Sequence, residues 1–282
     1  PWTPMRIVRA LMAAGFPEDA FSLYPTDHEG AAALLEVAGR SLLFGDAKVA
    51  AKYAGDRRIE IHGPGRSKVL LGADVAADFE RHLDVLVASV AANGGRSCIN
   101  ASAIYTPSHV RELAEALGAR LAAIVPRRYD DPQAGLAAFA NPAFADAMDG
   151  AIEGALATGG ARDVTAAHRG GPRKVVFDGA TYLSPTVVHC ESLTHPLANT
   201  EYMFPFTSVV QVPQADMLGV IGPSLVVSAI THDQVFTAEL LRAHHISRLN
   251  LGPLPTSRVE WDQPHEGNMF EFLYKRRSIE RA

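Results

Sequence analysis

The sequence contains only two cysteines, Cys98 and Cys190, among its 282 residues. Two cysteines cannot build the disulfide framework of small secreted proteins, so we expect both to be thiols in a reducing cytoplasm. The amino terminus has no basic segment followed by an apolar one, so no secretory signal is predicted. No apolar run reaches the length of a membrane span, so no membrane attachment is predicted either.

The sequence also has no excess of positive charge and no recognisable metal-ligand spacing. Its 26 Lys and Arg residues against 31 Asp and Glu residues give a net charge of −5, so a nucleic-acid partner is not predicted. The histidines lack the spacing with carboxylates or cysteines that a metal site needs, so no metal is expected. The glycines do not form G-x-G-x-x-G after a strand, so the usual dinucleotide fingerprint is absent. A hydrophobic content of 48% indicates an ordinary globular protein.

Predicted strands and helices alternate along the first part of the chain. The predicted strands are Phe21–Tyr24, Ser41–Phe44 and Arg58–Ile61, and helices are predicted over His28–Val37 and Ala47–Ala54. This alternation is typical of a parallel sheet in an α/β protein. In doubly wound sheets of this kind, ligands sit beyond the carboxyl ends of the strands.

A second α/β segment follows the first. It begins with a predicted strand at Lys68–Leu71 and a buried helix that runs up to Asn93. Later helices are predicted from about residue 108 to 121 and over 143–157, and later strands at 104–105, 174–177, 186–188, 208–212, 225–227 and 246–250. The whole chain is therefore predicted to be α/β, with one or two domains.

The segment from Asn93 to Ser102 has the pattern of a nucleophile turn. Asn93-Gly94-Gly95 ends the preceding helix, because Asn and Gly accept the positive φ that a helix stop needs. Cys98 follows in a run of small residues. Such a turn can present a sulfur to a cleft, with backbone N–H groups directed at a developing oxyanion. The alternative interpretation is a buried structural cysteine.

Three sequence patterns together resemble the aldehyde dehydrogenase superfamily. They are Asn-Gly-Gly-Arg-Ser-Cys over residues 93–98, Glu60 upstream, and Glu-Tyr-Met-Phe-Pro over residues 201–205. The family pattern at the cysteine is N-x-G-Q-x-C, and Arg96 stands where Gln is usual. The resemblance implies a parallel-sheet remnant of a cofactor domain in residues 1–61 and an α/β catalytic domain in residues 62–258. Residues 259–282 would form a carboxyl-terminal oligomerisation strand. The family's first βαβ units have no counterpart in this sequence.

The resemblance also implies which residues act on the substrate. Cys98 would be the nucleophile that attacks an aldehyde and forms a thioester, and Glu60 would be the general base. His265 falls where the family has a loop at the substrate entrance, although a surface loop histidine is an equally good interpretation. A solvated glutamate at a strand end is the alternative for Glu60.

NAD or NADP is the cofactor that the resemblance implies. Glu201 matches the glutamate that holds the nicotinamide ribose, and Met203 replaces a Phe near the ring. Gly45 and Asp46 fall near the position of the pyrophosphate. A carboxylate there would repel a phosphate, unless Asp46 only caps the helix that starts at Ala47.

Three functions are therefore compatible with the sequence. The first is oxidation of an aldehyde to a carboxylic acid through a Cys98 thioester. The second is transfer of the acyl group to CoA, because Ala103 falls where many hydrolytic members carry Arg. The third is a non-catalytic homologue or fragment kept for assembly, which Asp46 and the missing first βαβ units favour. The alternating residues of Glu271–Ile279 predict a strand that is added to a neighbouring subunit of a homo-oligomer.

Overall fold

The computed structural model describes residues 2–260, 262–263, 269–274 and 279–282. The chain divides into two compact units, residues 1–62 and 63–282. The helices are α1 (Trp2–Ala13), α2 (His28–Val37), α3 (Ala47–Tyr53), α4 (Leu83–Ala91), α5 (Val110–Ala122), α6 (Pro142–Leu156), α7 (Gln214–Val220), α8 (Gln234–Arg242) and α9 (Met269–Leu273). The strands are β1 (Ser41–Phe44), β2 (Ile59–His62), β3 (Lys68–Leu71), β4 (Ala103–Thr106), β5 (Ala161–Asp163), β6 (Lys174–Phe177), β7 (Ala180–Leu183), β8 (Thr186–Cys190), β9 (Phe206–Gln211), β10 (Ser224–Ile230) and β11 (Ile246–Leu251).

Within residues 2–62, the first unit contains one parallel strand pair and the α-helices α1, α2 and α3. β1 and β2 pair in register from Ser41 opposite Ile59 to Phe44 opposite His62. The strand predicted at Phe21–Tyr24 is wrong, because these residues join no sheet. Apolar composition favours a strand only where a neighbouring strand supplies hydrogen bonds and a surface to pack on. Among residues 2–62, only Ile59 is buried.

The second unit is built on a seven-stranded sheet in the order β11-β10-β3-β4-β9-β8-β5. All neighbouring pairs are parallel except β5 with β8, which is antiparallel. β6 and β7 form a separate antiparallel pair. This architecture confirms the predicted α/β class, and the strands predicted at Lys68–Leu71 and after residue 100 are all present.

Two apolar clusters cover the two faces of this sheet. Successive side chains of a strand point to opposite faces, so Leu70 joins the cluster with α6, α7 and α8, whereas Val69 and Leu71 join the cluster with α4 and α5. All three residues are fully buried. Burial on both faces explains why these strands read as continuous apolar runs.

The carboxyl-terminal segment differs from its prediction. Met269–Leu273 form the short helix α9 rather than part of a strand. The rings of Phe270 and Tyr274, four residues apart, lie 4.6 Å apart, as helical spacing allows. Residues 275–278 lie outside the described residues, so the proposed strand exchange stays a prediction. No helix within the described part of the chain is both long and apolar enough to cross a membrane.

Candidate active site

The backbone before Cys98 turns as its sequence predicts. Helix α4 ends at Ala91, and Asn93, Gly94 and Gly95 have φ values of 55°, 65° and 68°. Three consecutive residues in the left-handed region cannot continue a helix. They redirect the chain into the turn that carries Cys98.

The side chain of Asn100 holds this turn from inside the protein. Its Nδ2 donates to the carbonyls of Ser89 at 3.1 Å and Ala92 at 3.0 Å, and its Oδ1 accepts from the amide of Ser97 at 2.9 Å. Asn100 is buried, so these bonds satisfy polar groups that would otherwise be costly to bury. Asn100 was not among the residues predicted from the sequence. Its only signal was an amide side chain within a run of small and apolar residues.

Cys98 is half-buried at the edge of a small apolar cluster. Its side chain packs against Ile99, Leu225 and Val226. Its carbonyl oxygen accepts a hydrogen bond from Ser67 Oγ at 2.8 Å. That hydroxyl also accepts from the amide of Val226 at 3.2 Å. The cysteine backbone is therefore tied to Ser67, which precedes β3, and through that hydroxyl to Val226 within β10.

Two glycines bring three sequence segments together. A Cβ atom on Gly65 would lie 2.0 Å from the carbonyl oxygen of Cys98, and one on Gly95 would lie 2.2 Å from the backbone nitrogen of Pro205. Only glycine permits such close approaches. Residues 65–68, 93–102 and 201–205 thus form one cluster, which we call the motif cluster.

Glu201 is held by backbone amides within the motif cluster. The amide of Arg66 donates to Glu201 Oε2 at 2.6 Å. Burial raises the pKa of this carboxyl, while the amides of Arg66 and Gly65 act in the opposite direction. Arg66 itself has a φ of 46°, which is unusual for a residue with a side chain.

Lys68 is a second residue that the sequence analysis did not identify. Its side chain is fully buried, and its Nζ donates to the Arg66 carbonyl at 2.6 Å and to Ser224 Oγ at 3.2 Å. Burial lowers the pKa of this ammonium to about 8, helped by the charge of Arg66 and opposed by that of Glu201. Apart from being a lysine in an otherwise apolar run, Lys68 belongs to no local sequence pattern that predicts a role.

Arg96, which stands where the family has Gln, connects the motif cluster to the loop that contains Ala137 and Phe139. It donates to the carbonyl of Ala137 at 3.2 Å, and its guanidinium lies 4.6 Å from the centre of the Phe139 ring. Burial lowers the pKa of the guanidinium. The arginine therefore fastens the turn to the loop that follows α5, as a cation over an aromatic face can do.

The motif cluster lies at the amino ends of the sheet strands. Its segments immediately precede or begin β3, β4 and β9, and Ser224 begins β10. The rule that ligands sit beyond the carboxyl ends of parallel strands therefore does not predict the position of this cluster. At the carboxyl ends of the strands, the Asp74 carboxylate accepts from Thr231 Oγ1 at 2.8 Å and from the His232 amide at 2.7 Å. These bonds tie together the loops that follow β3 and β10.

The other predicted site residues occupy separate places. Glu60 is half-buried on β2 of the first unit, opposite Leu42, so its role as a base stays a prediction. Met203 is 43% exposed beside Glu201, which leaves it accessible to a ligand. His265 lies outside the described residues. No group of three or more potential metal ligands occurs among the residues that the structure describes.

Asp46 is the N-cap of α3. Its carboxylate accepts from the amides of Lys48 and Val49, both at 2.9 Å. The amides that would bind a phosphate at this helix start are therefore occupied. A Cβ on Gly45 would lie 2.5 Å from the Val49 side chain, which gives this glycine a packing reason. A contact of either residue with a cofactor stays a prediction.

Comparison with known proteins decides the family. Residues 1–246 match the aldehyde dehydrogenase family. The chain belongs to this family. No curated protein sequence matches the chain.

Solved structures share the fold of this aldehyde dehydrogenase chain. PnpE from Pseudomonas sp. WBC-3 aligns with a TM-score of 0.81 and 18% identity, over 95% of this chain and 56% of that one. Gamma-glutamyl-gamma-aminobutyraldehyde dehydrogenase from Burkholderia cenocepacia J2315 gives 0.76 and 19%, over 90% and 52%. GapN, a glyceraldehyde-3-phosphate dehydrogenase from Methanocaldococcus jannaschii solved with NADP, gives 0.75 and 15%, over 94% and 58%. This chain thus spans little more than half the length of these proteins.

Among the described residues, the Glu201 carboxylate is chemically compatible with the nicotinamide ribose of a dinucleotide. The Glu201 carboxylate accepts from the amides of one turn, and a carboxylate has about four lone-pair positions, so it retains capacity for a ribose diol. The start of α3 does not fit a phosphate, because Asp46 occupies it. The fit therefore rests on Glu201.

Proposed function

We propose that this chain is the part of an NAD- or NADP-dependent aldehyde dehydrogenase that carries its nucleophile, and that an aldehyde is oxidised to a carboxylic acid through a thioester on Cys98, with the dinucleotide as the oxidant. One observation carries the proposal. The Cys98 turn is held by Asn100, Ser67 and Gly65 in a half-buried position next to Glu201's turn. These contacts hold the backbone of Cys98 in one place beside the Glu201 turn, as a nucleophile that must meet a bound substrate requires.

The proposed chemistry begins with the thiolate of Cys98. It adds to the aldehyde carbon and gives a thiohemiacetal. A bound oxidised nicotinamide would supply the acceptor for the hydride of that carbon, so that Cys98 would be left carrying a thioester. Water then adds to the thioester and releases the acid and the thiol. Glu60 is proposed to take the proton from that water.

Binding of the dinucleotide is assigned to the Glu201 turn. The carboxylate of Glu201 would accept hydrogen bonds from the nicotinamide ribose, and Met203 would contact the ring from its exposed position. We propose further that residues 1–61 belong to the cofactor domain and residues 62–258 to the catalytic domain. A cytoplasmic location is supported by two cysteines that are not joined in a disulfide.

The CoA-acylating alternative loses its sequence argument. Ala103 is fully buried on β4, between Lys68 on β3 and Ser208 on β9. A core position of this kind selects a small residue for packing, whatever the acyl acceptor is. Ala103 therefore does not favour CoA over water.

Trapping of the acyl-enzyme tests the proposal. The protein is incubated with a small aliphatic aldehyde and NAD⁺ or NADP⁺, quenched in acid and weighed intact. We expect an added mass equal to the aldehyde less two hydrogens, located on Cys98 by peptide mapping. Cys190→Ala should keep the adduct and Cys98→Ala should lose it. A folded protein that forms no adduct with either cofactor supports the non-catalytic alternative, and a product that requires CoA supports the acylating one.

Assembly into a homo-oligomer through residues 259–282 is part of the same proposal. Removal of residues 268–282 should convert the oligomer into monomers, because the segment proposed to be exchanged between subunits would be lost. Light scattering measures the change. An oligomer of unchanged mass after truncation would exclude this role of the carboxyl-terminal segment.

A further inference from the structure

Lys68 is a buried cation at the centre of the motif cluster. None of its side chain is exposed, and within the described part of the chain it forms no ion pair with a carboxylate. Burying a charge without an ionic partner is costly. An apolar side chain of similar length would avoid this cost, so the lysine calls for a reason beyond packing.

The hydrogen bonds of Lys68 connect it to the backbone turn that holds Glu201. Its Nζ holds the carbonyl of Arg66 at 2.6 Å, and the amide of the same Arg66 donates to Glu201 at 2.6 Å. Arg66 sits at a φ of 46°, a conformation that a residue with a side chain keeps only when its surroundings fix it. The turn is therefore held at both of its backbone polar groups.

The same turn also touches the cysteine. Gly65 packs against the carbonyl of Cys98, where a Cβ would lie 2.0 Å from that oxygen. Ser67, between Arg66 and Lys68, donates to the same carbonyl oxygen at 2.8 Å. Any movement of residues 65–67 would therefore reach both Glu201 and Cys98.

We propose that Lys68 is a positioning residue, which fixes the Gly65–Arg66 turn through the Arg66 carbonyl and thereby aims the amides of this turn at Glu201. The consequence for cofactor binding rests on the proposed function, in which Glu201 holds the nicotinamide ribose. The positioning itself does not, because it concerns only contacts within the chain. A charge-assisted hydrogen bond suits this task, since it is shorter and stronger than a neutral one.

Amide hydrogen exchange in the full chain tests the positioning. In Lys68→Met we expect the Arg66 amide to exchange about tenfold faster or more, as loss of a hydrogen bond to a charged group predicts. The amides of Val69 and Leu70, inside β3, should keep their rates. Lys174→Met is the matched control, because Lys174 lies on β6 and pairs with Asp146. It should leave Arg66 unchanged.

Two further variants separate positioning from general stability. Ser224→Ala removes the other partner of Nζ and should leave the Arg66 rate nearly unchanged. Lys68→Gln, which is neutral and one bond shorter, should accelerate Arg66 as Lys68→Met does. An unchanged Arg66 rate in either folded Lys68 variant overturns the proposal. Failure of both to fold, judged by circular dichroism, also overturns it, because Lys68 would then serve the whole fold.

Steady-state kinetics then connect the turn to the cofactor. In Lys68→Met we expect the KM for the dinucleotide to rise about tenfold, with a smaller change in kcat, because ribose binding is weakened more than thiol chemistry. An unchanged KM with a faster Arg66 amide would limit Lys68 to the turn and overturn its link to the cofactor. Absence of dinucleotide-dependent oxidation in the parent protein would refute the proposed function, while the exchange rates would still decide the role of Lys68.

Discussion

Individual residues decide whether the segments of the motif cluster can meet. Gly65 and Gly95 carry no reactive group, yet each leaves the space in which a second backbone segment lies. These glycines are needed because they have no Cβ atom, and not only because their backbone can rotate freely. The cysteine therefore depends on residues that take no part in its chemistry.

Replacement of Gly65 by alanine should damage the site more than the fold. The new Cβ would press on the carbonyl of Cys98, so that the turn must shift. We expect a loss of Cys98 acylation of at least about tenfold, since small misplacement of a reacting group is costly. Gly150→Ala is the control. Gly150 lies within α6 with nothing near its Cβ position, and alanine there should stabilise the helix by about 1 kcal/mol. Equal acylation in the two variants would contradict the expectation.

The two cysteines should differ in reactivity. Cys190 is 1% exposed, and burial raises the pKa of its thiol to about 12, so almost no thiolate forms at neutral pH. Cys98 is half-buried and is accessible to reagents. Treatment of the native protein with a limiting amount of iodoacetamide should label Cys98 first, as peptide mapping would measure. Preferential labelling of Cys190 would contradict this order.

At this scale the sequence predicts residues with local signals and misses those with distant partners. Asn93, Gly94 and Cys98 were found because a helix stop and a thiol lie within a few positions of one another. Asn100 and Lys68 were not found. The Nζ of Lys68 meets Ser224, 156 positions away, and no local pattern encodes such a contact.

Helices and strands show the same difference between local signals, which the sequence contains, and distant contacts, which it does not. Helix α2 was predicted with its observed bounds, and in the structure the carboxylate of Asp27 caps it by accepting from the amide of Gly30. The strand expected at Phe21–Tyr24 failed, because sheet membership depends on a neighbour that the segment itself cannot specify. The position of the motif cluster at the amino ends of the strands could likewise not be predicted from the order of helices and strands along the chain.

The cap of α3 gives a prediction for this element. Asp46→Ala removes an acceptor for two amides and should lower the stability of the first unit by about 1 kcal/mol, whereas Asp46→Ser should retain most of it. Denaturant unfolding followed by exchange at residues 47–53 measures both. If Asp46→Ala is as stable as the parent, the carboxylate is not needed as a cap.

For the whole molecule, Lys68 makes stability depend on pH in a defined direction. Its pKa is lowered from 10.5 to about 8 in the folded chain. Between these values the unfolded chain holds a proton that the folded chain has released, so this group adds stability as pH rises and loses it as pH falls through about 8. The full effect is roughly 3 kcal/mol.

A comparison of the parent with Lys68→Met isolates this effect. The free energy of unfolding of the parent, minus that of the variant, should increase from pH 8 towards 10. Burial also raises the pKa of Cys190 and of Tyr105, each to about 12, which lowers stability at high pH. Those groups are present in both proteins and cancel in the difference. Parallel pH profiles would show that Lys68 carries no such shift.

The two units differ strongly in how much apolar surface they bury. The second contains both apolar clusters around its seven-stranded sheet. In residues 2–62 the strand pair has one buried side chain, and Trp2, Phe44 and Val37 are 80%, 73% and 82% exposed. Most of the folding free energy therefore comes from the second unit.

The position of the motif cluster at the amino ends of the strands has a practical consequence for engineering. Some loops follow the carboxyl ends of the parallel strands, such as the one with the exposed residues Glu191 and Ser192 after β8. They lie at the opposite end of the strands from Cys98. An affinity tag or fluorescent reporter inserted there would be separated from the nucleophile by the length of the strands. The residues around Cys98 and the site of the tag can thus be changed independently, because they lie at opposite ends of the strands of one sheet.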